Sequence, residues 1–272
     1  MSVAPKIRKN YEQKPKENTC NIVSFFTASL FNGQGFFHLQ LGDRISLLPT
    51  KSEKYMLNTV IFDMDGLLID SEPFWQEAGK ETMAQFGVKL THEQYHTSTG
   101  LRTEEWIEHW FRHFNIKEDR TDAVNTIITK AIEKIYQSAE PMPGVNYIFE
   151  YFAKRKFKIG LATSSPKSLV DVVTEKLNIG SYLQAISSAE HLPYGKPHPQ
   201  VYLNCAEHLG SSPLECVCFE DSFFGMISAK AARMKCVVVP APDQQTEKRW
   251  SAADLKLSSL NNFNDLLLDG LL

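Results

Sequence analysis

The 272-residue sequence lacks any run of about 20 consecutive apolar residues, the length a membrane-spanning helix needs. Its N-terminal apolar run, NIVSFFTASLF, is about half that length, and no A-x-A-like cleavage site follows it. Neither a membrane anchor nor an exported leader is expected. An excess of one charge is also missing. The 29 Lys and Arg stand against 32 Asp and Glu, a formal net charge of −3, without the basic surplus that a nucleic-acid partner demands. The five cysteines, Cys20, Cys205, Cys216, Cys218 and Cys236, are odd in number and form no CxxC pair, which suits reduced thiols in a cytoplasmic protein. There is no internal repeat and no low-complexity tract, and nothing demands more than a monomer.

What is present is enough apolar material for a sizeable core: 43% of residues are hydrophobic and 11% aromatic. Residues 1–55 differ from the rest. They open on the basic, polar MSVAPKIRKNYEQKPKENT and read as a poorly ordered leader, with the folded protein expected from Met56. Beyond it, short apolar runs recur at 59–62 (TVIF), 158–162 (KIGLA), 185–188 (AISS), 216–219 (CVCF) and 236–240 (CVVVP). Rich in Val, Ile and Cys, they predict strands buried on both faces, as in a parallel sheet. Between them, segments 143–156, 168–178, 199–210 and 225–234 carry apolar residues at helical spacing. The alternation predicts a doubly wound, Rossmann-like α/β fold whose ligands sit at the carboxyl ends of the strands.

One interval breaks the rhythm. A hundred residues separate Asp63 from Thr163, whereas a βαβ unit takes about 30 or more. Amphipathic stretches at 74–87, 103–114 and 122–138 fill the gap, and EPMPG at 140–144 looks like a hinge back to the core. The expected organisation is an α/β core over 56–71 and 141–272, with a small helical cap over 72–140.

The first strand runs into Asp63-Met-Asp65-Gly. A period of two in extended chain puts both carboxylates on one side, where they repel unless something positive sits between them. A plain turn would explain the same residues, and a calcium loop would need a third acidic ligand and a later glycine that are missing. Three further strand-end stations add to the pair: Thr163-Ser164-Ser165-Pro166, Glu220-Asp221, and Lys196 in the loop YGKPHP. Each has a simple reading of its own, as an N-cap or a solvated lysine. Their shared position at one end of one sheet is what singles them out.

In this order, and with a helical insertion after the first strand, these residues resemble the haloacid dehalogenase-like phosphatases with a C1-type cap. The resemblance covers roughly residues 57–268. The stretches FDMDGLLIDSEPFW, LPYGKPHPQVYL, EDSFFGMISAKAARM and VVVPAP look closer still to the branch that hydrolyses hexose and hexitol phosphates such as 2-deoxyglucose 6-phosphate.

The resemblance implies roles. Asp63 is the nucleophile that forms an aspartyl-phosphate, and Asp65 is the acid and base that serves the leaving oxygen and then the water. Mg²⁺ is the positive partner of the carboxylates, held by Asp63, Asp65 through its carbonyl, and Asp221, with Glu220 on the ion or on one of its waters. Lys196, the Thr163 hydroxyl and the Ser164 backbone N–H bind phosphate oxygens. Glu72, Trp75 and Arg102, the last in a loop expected to face the site, contact the sugar. Trp106 and Trp110 are expected in the cap core. His109 and His113 have i, i+4 spacing but no third ligand, and are expected to pack or be solvated. Sugar phosphomutases of the same branch typically carry a histidine where Trp75 stands, which favours hydrolysis. The alternatives are a phosphomutase resembling β-phosphoglucomutase and a non-catalytic scaffold that binds sugar phosphates.

Overall fold

A computed structural model of the chain describes residues 56–272 and, upstream, a short antiparallel pair of Phe31–Asn32 with Gly35–Phe36. The leader expected over 1–55 otherwise lies outside the described residues. In the main unit six strands form one parallel sheet: β1 (Thr59–Phe62), β2 (Lys158–Thr163), β3 (Ala185–Ser188), β4 (Cys216–Glu220), β5 (Lys235–Val238) and β6 (Leu255–Lys256). Their spatial order is β3-β2-β1-β4-β5-β6, with neighbours parallel throughout. The order reverses between β1 and β4, and a doubly wound sheet opens its ligand crevice at that switch point.

Burial explains the central strands. Every residue of β1 and β4 is buried, as near-continuous apolar runs covered on both faces should be. On one face Phe62, Phe149, Phe152, Phe219 and Phe263 pack in stacked, tilted and edge-to-face pairs with ring centroids 4.9–6.0 Å apart, joining β1 and β4 to α5 (Val145–Lys154). The other face is a separate cluster in which Cys205, Cys216, Cys218, Cys236 and Met226 pack with Ile61, Tyr202 and Trp250. β3 departs from the expectation of two buried faces. It is the sheet's edge, its burial alternates, and Ile186 is exposed.

The segment between β1 and β2 holds α1 (Glu72–Gln85), α2 (His92–His96), α3 (Thr103–His113) and α4 (Thr121–Ser138). The short α2 carries no long apolar period, but Thr91 and Gln94 close a capping box that starts it. In α3, Trp106, Ile107, Trp110 and Phe111 are buried at helical spacing. His109 and His113 are exposed and lie edge-on to the Trp110 ring. The two connections to the sheet run side by side: Asp70 N–H donates to the Glu140 carbonyl at 2.9 Å, and Met142 N–H to that of Leu68 at 3.0 Å. The core is completed by α6 (Lys167–Lys176), α7 (Gln200–His208), α8 (Phe223–Ala231) and α9 (Asp265–Leu271). Among the described residues no helix is long and apolar enough to cross a membrane.

Candidate active site

The register of the sheet assembles the site. Phe62 pairs with Leu161 on one side and Phe219 on the other, so Asp63, Thr163 and Glu220 emerge at one edge on three adjacent strands. Lys196, on the loop before α7, enters this group from below. It is 2% exposed, and its Nζ donates to Asp63 Oδ1 at 2.5 Å, Glu220 Oε1 at 2.6 Å and the Ala162 carbonyl at 3.2 Å. Burial alone would depress the pKa of an ammonium; Asp63 and Glu220 more than offset it and hold Lys196 above its usual value.

Glu220 faces inward. Its Oε1 accepts from Lys196 and from the Tyr202 hydroxyl, and its Oε2 from the backbone N–H and the hydroxyl of Ser222. Asp221, the next residue, lines the open cleft. Gly66 makes room for it. That glycine has φ +72°, and a Cβ there would overlap Asp221 Oδ2.

Asp65 is oriented by three side chains. Ser71 Oγ and Trp75 Nε1 donate to its Oδ1 at 2.7 and 2.9 Å, and Ser165 Oγ to its Oδ2 at 2.7 Å. Ser165 therefore serves Asp65, and Pro166 stands at the N-cap of α6. Thr163 is buried, with its Oγ1 accepting from Ser165 N–H at 3.0 Å. Ser164 lines the cleft, and its Oγ donates to the Gly100 carbonyl at 3.3 Å.

The charges do not balance. Asp63, Asp65, Glu72 and Asp221 line one cleft, Glu220 lies behind it, and Lys196 is its single buried ammonium among the described residues. Burial is the largest cause of the resulting strain: it lifts Asp63 to about 8, against a pull downward from Lys196 and a push upward from Glu220 and Asp65. Glu72 rises to about 8 for burial and for its proximity to Asp65 and Asp63, and Asp221 is raised well above the usual carboxylate range. Oxygens of Asp63, Glu220 and Asp221 lie within 4.8 Å of one another. An all-oxygen, acid-rich set of this kind suits a hard divalent cation.

The cleft between the sheet edge and the helical insertion spans about 690 Å³, including the space open to solvent. Trp75, Gly79, Tyr95, Ser98, Trp106 and Ile127 form its wall on the insertion side. Arg102 also lines it, but it is the N-cap residue of α3 and not part of a free loop. Its Nη1 donates to the carbonyls of Ala189 and Leu192, at 2.9 and 2.7 Å, so the guanidinium ties the insertion to the core. The structure thus brings Asp63, Asp65, Glu72, Trp75, Thr163, Ser164, Lys196 and Asp221 to one cleft, with Glu220 behind Lys196 and Arg102 at the rim. Ser71, Ser165, Glu105 and Tyr202 also belong to this arrangement, although no role for them was legible in the sequence. Only Ser165, beside Thr163, carried a local signal.

A cleft of carboxylates at the switch point of a doubly wound sheet marks a candidate active site, and comparison specifies the class. Residues 60–239 match the family model for haloacid dehalogenase-like hydrolases. Hexitol phosphatase B of Escherichia coli K12 is 43% identical over 211 residues, covering 76% of this chain and 95% of that protein. Fructose-1-phosphate phosphatase YqaB of the same organism is 30% identical, covering 66% of this chain and 95% of that protein. Among solved structures, CbbY from Rhodobacter sphaeroides in complex with phosphate superposes with TM-score 0.68 at 22% identity, covering 79% of this chain and 99% of that one. A β-phosphoglucomutase from Clostridium difficile gives 0.69 at 21%, covering 79% and 97%. These two likenesses concern the fold. The chain belongs to the haloacid dehalogenase-like hydrolases, and within that family it is a phosphatase.

Proposed function

We propose that this chain is a magnesium-dependent phosphatase of small sugar phosphates, with hexose and hexitol phosphates as the substrate class. The observation that carries the reading is the placement of Asp63 and Lys196. A carboxylate oxygen and a buried ammonium, 2.5 Å apart, open into a cleft whose opposite wall comes from the helical insertion. The phosphatases named above, acting on hexitol and fructose phosphates, support the substrate class.

Asp63 is assigned as the nucleophile. Its carboxylate attacks phosphorus, the ester oxygen leaves with the phosphoryl group now on Asp63, and water then releases inorganic phosphate and restores the carboxylate. Asp65 is assigned as the proton donor to the departing oxygen and the base for that water. Ser71, Trp75 and Ser165 hold it in one orientation. The two serine hydroxyls can turn from donor to acceptor when Asp65 carries a proton, so both protonation states keep partners. Lys196, Thr163 Oγ1 and the Ser164 N–H are assigned to the phosphate oxygens.

Asp63, Asp221 and the Asp65 carbonyl are the residues that would hold Mg²⁺, and the ion would offset the surplus negative charge of the site and polarise the phosphoryl group. Glu220 is assigned to Lys196 as its counter-ion, because four donors already occupy its oxygens. Helices α1–α4 are assigned as the cap over 72–140, on the core of 56–71 and 141–272. The free, buried thiols of Cys205, Cys216, Cys218 and Cys236 are compatible with a reducing compartment, the cytoplasm, and a monomer is sufficient for the site.

Release of inorganic phosphate from a panel of hexose, hexitol and pentose phosphates, with Mg²⁺ and with EDTA, tests the reading. Metal-dependent release by the wild type, absent in Asp63→Asn, is expected. Conversion of β-glucose 1-phosphate to glucose 6-phosphate without phosphate release would replace the phosphatase by a mutase. Tight binding without turnover would replace it by a scaffold.

A further inference from the structure

The chain has four tryptophans, and the fate of each indole N–H is informative. Trp75 donates to Asp65 at 2.9 Å, Trp110 to Ser98 Oγ at 3.3 Å, and Trp250 to the Gln244 carbonyl at 2.8 Å. Trp106 donates to nothing. It is 6% exposed, and its Nε1 is buried without a partner. A buried donor left unpaired is costly, so such a group in a native protein needs an explanation.

Its position supplies one. Trp106, on α3 of the insertion, is part of the wall of the active-site cleft, beside Gly79 and Tyr95. A Cβ on Gly79 would lie 3.1 Å from the Trp106 ring, so the indole fills the space that the glycine leaves open. The ring is thereby fixed in the wall that the insertion contributes to the cleft, and the phosphate-binding groups assigned above belong to the core. The requirement is for a hydrogen-bond acceptor on the part of the substrate beyond the phosphate, small enough to enter and brought there by the substrate itself.

We propose that Trp106 is a specificity-determining residue, its indole N–H donating to a hydroxyl oxygen on the carbon chain of a polyhydroxylated phosphate monoester. This rests on the phosphatase reading above and narrows it: the site prefers a hydroxyl-bearing leaving group over an aromatic or aliphatic one of similar size. The preference arises because a substrate without the hydroxyl leaves the indole unpaired, and sites built to pair a hydroxyl reject analogues that lack one far better than apolar pockets reject extra atoms.

The test compares wild type and Trp106→Phe on a hexitol 6-phosphate and on p-nitrophenyl phosphate, both with Mg²⁺. Phenylalanine keeps an aromatic ring and removes the donor. The ratio of kcat/KM for the hexitol phosphate to that for p-nitrophenyl phosphate is expected to fall about tenfold or more. A set of monodeoxy hexitol phosphates then closes a double-mutant cycle: removal of the recognised hydroxyl penalises the wild type and adds little in Trp106→Phe. An unchanged ratio, or an equal loss on every deoxy analogue in both proteins, overturns the assignment and returns Trp106 to a packing role. Turnover of p-nitrophenyl phosphate reports that the variant is folded. If the wild type hydrolyses neither compound, the phosphatase reading itself fails, an outcome distinct from loss of selectivity.

Discussion

The backbone N–H of Gly195 donates to Glu105 Oε1 at 2.8 Å, tying α3 of the insertion to the loop that carries Lys196 one residue later. The approach is close: a Cβ on Gly195 would lie 2.5 Å from Glu105 Oε2 and 3.1 Å from Arg102 Cβ, so the Glu105 carboxylate would have to shift to admit it. Arg102 makes a second tie to the same loop region through Ala189 and Leu192. Closure of the cleft and placement of the lysine are thus coupled through one surface.

Gly195→Ala should disturb that coupling. The added methyl displaces the Glu105 carboxylate that holds the Gly195 N–H and so loosens the loop that carries Lys196, and misplacement of about 1 Å costs on the order of a hundredfold in rate. A fall in kcat/KM of about tenfold or more is expected, with Tm lowered by no more than a few degrees because the packed aromatic core lies elsewhere. Steady-state kinetics beside a thermal melt checks this; full activity would mean that the tie has no bearing on the lysine.

Asp63→Asn should lose turnover by a factor on the order of 10³ or more while still binding substrate. The amide is a poor nucleophile, yet it leaves the cleft wall and Lys196 in place. Calorimetric titration with the sugar phosphate that the wild type hydrolyses best, alongside phosphate release, separates the two effects. Steady turnover by the variant would eliminate the covalent route.

The parts of this protein that could be read from sequence are those fixed by local pattern. Val60, Ile61 and Phe62 form a buried run too short for a helix, and the carboxylates of Asp63 and Asp65 follow at its end, so the strand and its chemistry share one signal. The insertion was legible because Trp106, Ile107, Trp110 and Phe111 repeat at helical spacing. What stayed hidden depends on distant pairing. Tyr202 reaches Glu220 only because α7 packs across β3, β2 and β1, and Arg102 turns to Ala189 and Leu192 only because the insertion folds back over the sheet edge. The short α2 and β6 went unread because five and two residues hold no period. The absence of a partner for the Trp106 N–H is visible only in three dimensions.

Tyr202→Phe isolates the support behind the site. The hydroxyl donates to Glu220 on a fully buried carboxylate, and its loss leaves that oxygen with Lys196 alone. Destabilisation of about 1–3 kcal/mol is expected, read as a shift of the urea midpoint at constant m-value. KM for the sugar phosphate should change little, because Tyr202 is not among the residues lining the cleft. A large change in KM with no loss of stability would contradict the placement of Glu220 as a structural counter-ion.

Metal and pH should act on stability together, and the sign follows from the carboxylates. In the folded, metal-free protein Asp63 is raised from 3.8 to about 8 and Glu72 from 4.5 to about 8, burial being the first cause of each. Groups raised on folding bind protons more tightly in the folded state. Their contribution is therefore fully present below about pH 4 and is lost as pH climbs through about 8. In EDTA the melting temperature should decline across that window, over and above any acid-limb effect from other groups. A divalent cation takes the place of those protons, so the stabilisation by Mg²⁺ should grow with pH. At a hundredfold excess over its Kd, the ion adds about 2.7 kcal/mol. Melting curves at several pH values, with Mg²⁺ and with EDTA, measure the difference directly. A Mg²⁺ shift that is the same at every pH, or that survives intact in Asp221→Asn, would remove the ion from these carboxylates, whereas a shift that widens toward pH 8 and collapses in the variant places it there.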